Sequence, residues 1–300
     1  MGINAFSAPG RFWRGNLHTH SSRSDGALAP DEVCARYRDA GYDFLCLSDH
    51  FLSRYGFPVT DTRDFRTNRF TTILGAELHA MANSQGELWH ILAAGLPEDF
   101  AETGETESGV DLAARARAAG AFVGIAHPQW SGLSEEDGRA MAPHAHAVEI
   151  FNYTCDIECA RPDGAVMLDQ LLNEGYRLGG YAADDAHFNF PDAFGAWTMV
   201  KAPENQPEAL VDALKAGLYY SSQGPLIHDF AIDGEEVVVE CSQAENVAVL
   251  GRGTRARNQR GEGLASVRLP FEPFRDDWLR VVVTDAAGRM AWTNPVWAGS

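Results

Sequence analysis

A mixed α/β domain followed by an all-β tail is the fold class this sequence predicts, and three observations predict it. Over residues 12–226, short apolar runs alternate with amphipathic helical stretches, the order expected of a sheet wrapped by helices. From 227 to 300 the helical period disappears, and β-branched runs are separated by Gly, Asn and Asp turns. The 300 residues, 45% apolar and only 22% charged, supply a sizeable core and exceed the roughly 150 residues of a modal domain. The expected division is therefore a barrel-like domain over 12–226 and an all-β accessory domain over 227–300.

Each element has a local reason. Residues 13–18 read as a strand. Residues 30–40 read as a helix with Pro30 in its first turn, acids early, arginines late and Gly41 as its stop. Strands follow at 44–48, 71–77 and 88–93, then a helix over 110–119 closed by Gly120. Strands at 122–126 and 148–152 precede a helix over 165–174 closed by Gly175. Further strands are expected at 177–183, 197–202 and 219–222, with a helix over 207–216 between the last two. That is a barrel-like number of strands. In the tail, runs at 236–240, 247–250, 266–269 and 278–284 predict a small antiparallel sandwich or sheet. Residues 53–68 and 98–109 read as long loops.

Charge narrows the partners. Forty-two acidic against 24 basic side chains give a formal charge of −18, whose far field repels polymeric nucleic acid and anionic membrane surfaces. No run approaches the roughly 18 apolar residues of a membrane span. The first ten residues carry neither a basic nor an apolar leader segment, so a cytoplasmic location is the expectation. Five cysteines are an odd number, which fits reduced thiols; Cys155 and Cys159, with no second pair nearby, are expected to pack.

Ten histidines would be unremarkable if scattered, but most fall at the expected C-terminal ends of strands, the rim where α/β barrels place their sites. The first strand ends in His18-Thr19-His20, whose i, i+2 spacing points both rings to one face. Ser24-Asp25-Gly26 forms a turn that returns a carboxylate to the same rim. Ser48-Asp49-His50 and Gly75-Ala76-Glu77 end the next two strands, and His90 lies in the following apolar run. Ala126-His127-Pro128 ends another, and Asp185 and His187 repeat the i, i+2 geometry. These nine residues, six imidazoles and three carboxylates, are too many for one ion. At three or four ligands each, with Glu77 able to bridge, they suit two or three divalent ions. The mixed nitrogen and oxygen donors admit Zn, Mn or Fe.

These motifs, in this order, resemble those of the polymerase and histidinol phosphatase (PHP) family over residues 14–225. The resemblance implies a distorted seven-stranded β/α barrel of the TIM-like type. It also implies a ligand grouping: His18, His20, Asp185 and bridging Glu77 for a first ion; His90, His127 and Glu77 for a second; Asp25, His50 and His187 for a third. The opening Trp13-Arg-Gly-Asn-Leu-His18 and the closing Ala291-Trp-Thr-Asn-Pro-Val296 resemble the subgroup that includes CehA/McbA-type carbamate hydrolases.

Other candidates stand beside these. His79, two residues past Glu77, reads as a substrate contact or proton donor, or as a plain loop histidine. Arg23 and Arg54 are candidate grips on an anionic group, with solvated loop arginines as the alternative. Asn152 is a candidate substrate contact, and Asp49 and Asp184 are candidate partners orienting ligand histidines. His144-Ala-His146 repeats the His-x-His spelling but precedes its strand, which puts it on the opposite rim.

Divalent ions bring the pKa of bound water from about 15.7 toward 7, and the sequence has no Gly-x-Ser-x-Gly elbow. The expectation is therefore a metal-dependent hydrolase. Glu77, Asp185, Arg23 and His79 are the candidate catalytic residues beside a hydroxide expected between the first two ions, with Arg23 or the third ion neutralising developing charge. The PHP resemblance implies small phosphate mono- or diesters. The alternatives are a carbamate, ester or amide hydrolase, favoured by the aromatics Trp89, Trp130 and Phe188, and a non-catalytic metal- or ligand-binding module. Oligomeric state is beyond the sequence.

Overall fold

A computed structural model describes residues 4–298. Its first strands are β1 (Arg11–Asn16), β2 (Phe44–Leu47), β3 (His50–Phe51), β4 (Thr71–Ala80) and β5 (Trp89–Ala94). They are followed by β6 (Phe122–Ile125), β7 (Ala147–Asn152), β8 (Gly179–Ala183), β9 (Trp197–Ala202) and β10 (Tyr219–Ser222). The helices are α1 (Pro30–Asp39), α2 (Gly109–Ala118), α3 (Glu135–Met141), α4 (Tyr153–Cys159), α5 (Ala165–Asn173) and α6 (Pro207–Lys215). The tail contributes β11 (Ile227–Asp233), β12 (Glu236–Gly251), β13 (Ala256–Pro270), β14 (Trp278–Thr284), β15 (Met290–Thr293) and β16 (Val296–Trp297). Helix ends obey local chemistry: Ser108 accepts the Asp111 N–H at the start of α2, and Asn152 accepts the Cys155 N–H at the start of α4. Helices α3 and α4, seven residues each, are too short to leave a periodic signal and were not expected from the sequence.

One large sheet runs in the order β11-β12-β14-β15-β10-β9-β1-β2-β4-β5-β6-β7-β8. It is mixed rather than uniformly parallel. β1, β2 and β4 are parallel, as are β6, β7 and β8, but β5 is antiparallel to both neighbours and β9 is antiparallel to β1. The link from β4 to β5 is too short for a crossover helix, so the chain turns straight back.

The expected seven-stranded barrel is not closed by a strand ladder. β1 already pairs with β2 on one side and β9 on the other, which leaves no edge for β8. The gap is instead spanned at the rim by Asp185 N–H to His18 O (2.8 Å) and His20 N–H to Ala186 O (2.9 Å). Lower down, the Thr198 and Ser221 hydroxyls donate to the carbonyls of Ala182 and Gly180.

The tail continues the same sheet, because β15 pairs with β10. Trp278 and Trp292 belong to the main apolar core, where Trp292 stacks on Phe151 at 5.9 Å. Buried Arg280 forms a two-pronged ion pair with Asp169 of α5 at 2.8 Å. The runs at 236–240 and 247–250 are one 16-residue strand, β12, with irregular register between Glu240 and Asn246. Its first half pairs β11 and β13, its second β13 and β14. Among the described residues no helix is long and apolar enough to cross a membrane.

Candidate metal centre

The site is assembled where parallel strands end and antiparallel β5 begins. Beyond β1 the chain stays extended, so His18 and His20 face inward together, both fully buried, with ring centres 5.3 Å apart. β4 runs three residues past the expected end, so Glu77 and His79 share its inward face. Register then pairs His50 of β3 with Glu77, and His90 of β5 with His79. His90 reaches the rim because its strand runs the other way. His127 and Asp185, just after β6 and β8, have φ of +22° and +58°. Such left-handed conformations cost non-glycine residues on the order of 1 kcal/mol each and cluster at functional sites.

Glu77 sits at the centre, fully buried, with six imidazoles around it. His50 Nδ1 lies 2.6 Å and His90 Nδ1 2.7 Å from its carboxylate, and His127 Nε2 3.1 Å. His79, His18 and His20 follow at 3.5, 3.6 and 3.7 Å. Asp185 Oδ1 lies 2.9 Å from His20 Nε2 and 3.2 Å from His18 Nε2. Asp25, more exposed, lies 3.2 Å from His50 Nε2 and 3.5 Å from His187 Nε2. All nine ligand candidates of the sequence converge on this centre. His79 joins them: its Nδ1 lies 3.1 Å from the Trp89 carbonyl, the geometry of a donated proton, which turns an Nε2 electron pair toward Glu77 and His50. It lies on a strand, not in a loop.

Burial and charge oppose each other in this pocket. Burial works to lower the pKa of His18, but Asp185, Glu149 and Glu77 hold it well above the ordinary value. Burial likewise lowers His50, yet Glu77 and Asp25 carry it up to about 10. His20 and His90 are pulled down to about 4, chiefly by burial. Glu77 and Asp185 stay well below the carboxylate range despite burial, because the imidazoles favour their charged forms. The carboxylates demand positive charge, which protonated imidazoles or divalent ions can supply. Among the described residues, buried Nε2 of His18, Nδ1 of His20 and Oε2 of Glu77 make no aligned hydrogen bond, although Asp185 lies 3.2 Å from the first and His50 2.6 Å from the last. Orphaned donors or acceptors at such depth are costly. An all-nitrogen-and-oxygen set with these open positions fits divalent cations.

The supporting residues differ from those expected. Among the described residues, neither the Asp49 nor the Asp184 carboxylate hydrogen-bonds a candidate ligand histidine. Asp49 accepts from the Ser21, Ser24 and Thr60 hydroxyls and so holds the turn bearing Asp25. Asp184 accepts from Tyr37 and from the N–H groups of Phe194, Gly195 and Ala196. The histidine partner is Glu149 on β7, fully buried and not anticipated from the sequence. Its Oε1 lies 3.1 Å from His18 Nδ1, and its Oε2 accepts the His127 N–H at 2.7 Å. The available signal was a carboxylate in the middle of the apolar run Ala-Val-Glu-Ile-Phe. Asn152 is also a support: its amide donates to Glu149 and Asp185, both at 3.1 Å.

The centre forms the floor of a cavity of about 400 Å³ whose walls include Arg54, Trp130, Cys155 and Phe190. Arg54 stacks over Tyr55 at 4.7 Å. Arg23 is exposed and is not among the residues lining this cavity. His146 lies at the opposite end, where its Nδ1 accepts the Val123 N–H at 3.0 Å. Cys155 and Cys159 are free thiols within α4.

No family model matches the chain, and no curated protein matches it. Among solved structures, it resembles a two-domain protein from Bacteroides vulgatus containing a predicted PHP-like metal-dependent phosphoesterase. The TM-score is 0.54 at 15% identity, over 93% of each chain. Fainter likenesses are to PsfC from Pseudomonas syringae (TM-score 0.47, 15% identity, 68% of this chain and 87% of that one) and to an amidohydrolase from Chromobacterium violaceum (0.42, 14%, 59% and 89%). The first comparison alone carries an argument, and it concerns the fold: over 93% of its length this chain shares the fold of a protein with a PHP-like domain.

Proposed function

We propose that this protein is a metal-dependent hydrolase of the PHP type, its curled sheet serving as that family's distorted barrel, and that it acts on small phosphate mono- or diesters. One observation carries the reading: a buried Glu77 ringed by six imidazoles, with atoms on His18, His20 and Glu77 that make no aligned hydrogen bond among the described residues, at the floor of an open cavity. His18, His20 and Asp185 would hold one ion, and Glu77 with His79 and His90 a second, while His127 groups with Glu77 and His18. Asp25, His50 and His187 would hold a third. Such ions supply Lewis acidity and a water acidified enough to attack at neutral pH.

The chain's own residues do the rest. Glu149 fixes His18 through Nδ1 and holds the His127 backbone in its left-handed turn. Arg54, on the cavity wall, pairs with the phosphate oxygens; Arg23 is not part of that lining. In the reaction the phosphorus–oxygen ester bond breaks, the oxygen of water joins phosphorus, and the alcohol leaves with a proton.

The apolar side of the cavity keeps a second reading, carbamate, ester or amide hydrolysis. Trp130 and Phe190 are 42% and 38% exposed there, although large apolar groups ordinarily bury. A panel of nucleotides and sugar phosphates against aryl carbamates, run on protein loaded with Zn, Mn or Fe, separates the two. Hydrolysis of phosphate esters that disappears on chelation supports the first. Turnover of carbamates alone overturns it, and full activity after complete metal removal overturns both.

A further inference from the structure

A second groove lies beside the metal cavity. It has about 460 Å³, six of its eight lining residues are apolar, and one of them, Phe190, also lines the metal cavity. Its walls come from the segment after β8. Phe190 and Phe194 remain 38% and 37% exposed, and Leu28 and Arg36 complete the lining.

The segment is built to hold that surface still. Buried Asp192 accepts the N–H groups of His187 and Phe188 at 2.7 and 3.0 Å, and Asp184 accepts those of Phe194, Gly195 and Ala196, each at 2.9 Å. Phe188 and Phe194 have φ of +59° and +71°, a conformation that bulky side chains rarely adopt. Phe194 packs edge-on against Tyr37 at 5.1 Å, which fixes its ring while leaving part of it open. Backbone strain and solvent-exposed phenyl rings both disfavour this arrangement in the free protein, and an apolar group seated on the rings relieves the second of these costs. The charge of the only acid in the lining, Asp192, is turned into the loop's own backbone.

We infer that this groove is a subsite for the apolar, ring-bearing part of the substrate ester, so that the scissile group rests over the histidine centre while an aryl substituent crosses Phe190 onto Phe194. The inference rests on the hydrolase reading and narrows it to esters with an extended apolar alcohol. An aromatic group on preordered rings gains area burial and edge or stacking contacts, and pocket complementarity of this kind discriminates by about 10-fold or more.

The test compares biphenyl-4-yl phosphate with phenyl phosphate, whose leaving groups are alike in acidity, on the metal-loaded full-length protein and on Phe190→Ala. Calorimetric binding of biphenyl-4-ol gives a readout that needs no turnover. Where hydrolysis occurs, the kcat/KM ratio decides. A preference of about 10-fold for the longer ester that collapses in Phe190→Ala supports the subsite, and a ratio near one, or one indifferent to Phe190, overturns it while the hydrolase reading stands. Where neither ester is cleaved, binding decides. If biphenyl-4-ol binds and Phe190→Ala weakens that binding, the subsite stands although phosphate hydrolysis does not; no binding, or binding that Phe190→Ala leaves unchanged, overturns it.

Discussion

The chain spells His-x-His twice, and the two copies live at opposite ends of the sheet. His18 and His20 follow β1, are fully buried, and face Glu77 and Asp185. His144 and His146 precede β7, where His146 faces Phe122 and the Val123 N–H and pairs with no carboxylate among the described residues. The residues are the same; their place relative to the strand differs. Strand ends on one side release chain into loops that converge over the centre, whereas the starts on the other side are covered. The tail does part of that covering, since Asn294 accepts the Gly180 N–H at 2.8 Å and donates to the Gly217 carbonyl at 3.0 Å. A histidine pair becomes a candidate ligand pair only where carboxylates from other strands meet it.

The largest test removes the covered end. We propose that 12–226 and 227–300 fold as one unit, although they differ in sequence character, and that deleting 228–300 yields insoluble or unfolded protein by circular dichroism. The deletion unpairs β10 and strips Trp278 and Trp292 from the main core. A soluble, active truncation would show the tail to be separable. Next, His20→Ala and Glu77→Gln are each expected to lower kcat/KM by more than ~100-fold and to reduce bound metal, measured by plasma mass spectrometry. His146→Ala should leave both within about twofold and cost only the ~1 kcal/mol of a lost hydrogen bond in urea melts. Equal losses from the two pairs would erase the distinction.

Smaller effects sharpen the contrast. Glu149→Gln should weaken metal affinity by about 10- to 100-fold without unfolding the protein, because His18 and the His127 turn lose their shared anchor. Arg54→Ala should raise KM for a phosphate ester about 10-fold and leave kcat closer to wild type, a loss of ground-state binding. The smallest effect concerns pH. Burial, with Arg117 and Lys215 nearby, lowers His146 from 6.5 to about 4. The folded state thus binds fewer protons there than the unfolded state. The contribution of His146 is complete above about pH 6.5 and declines as pH falls toward 4. His146→Gln should flatten thermal stability across that window, and an unchanged slope would place the titration elsewhere.

The centre was more legible than its supports. Histidines at strand ends announce themselves because each interrupts an apolar run, and i, i+2 spacing gives their direction without any knowledge of neighbours. Glu149 gave the same kind of signal, yet its purpose depends on which strand lies next to β7. Arg23 depends on more than its place near the motifs in sequence: its turn leaves it exposed and outside the lining of the cavity. The apolar run of β4 read alone ends at Glu77, two residues short of His79. Pairing with β5 carries the strand to Ala80 and makes His79 an inward residue.

By itself the sequence determined which residues could serve as ligands, where most strands and the longer helices lie, and where the chain turns from α/β to all-β. These depend on spacing of a few residues and on side-chain chemistry, both local. Tertiary structure alone decided that β5 runs backward to deliver His90, that β9 takes the edge a closed barrel would need, that the tail extends the same sheet, and that Glu149 rather than Asp49 or Asp184 braces the histidines. Those outcomes turn on which strand edges remain available to pair. Edge availability is settled among segments a hundred or more residues apart, and no local pattern records it.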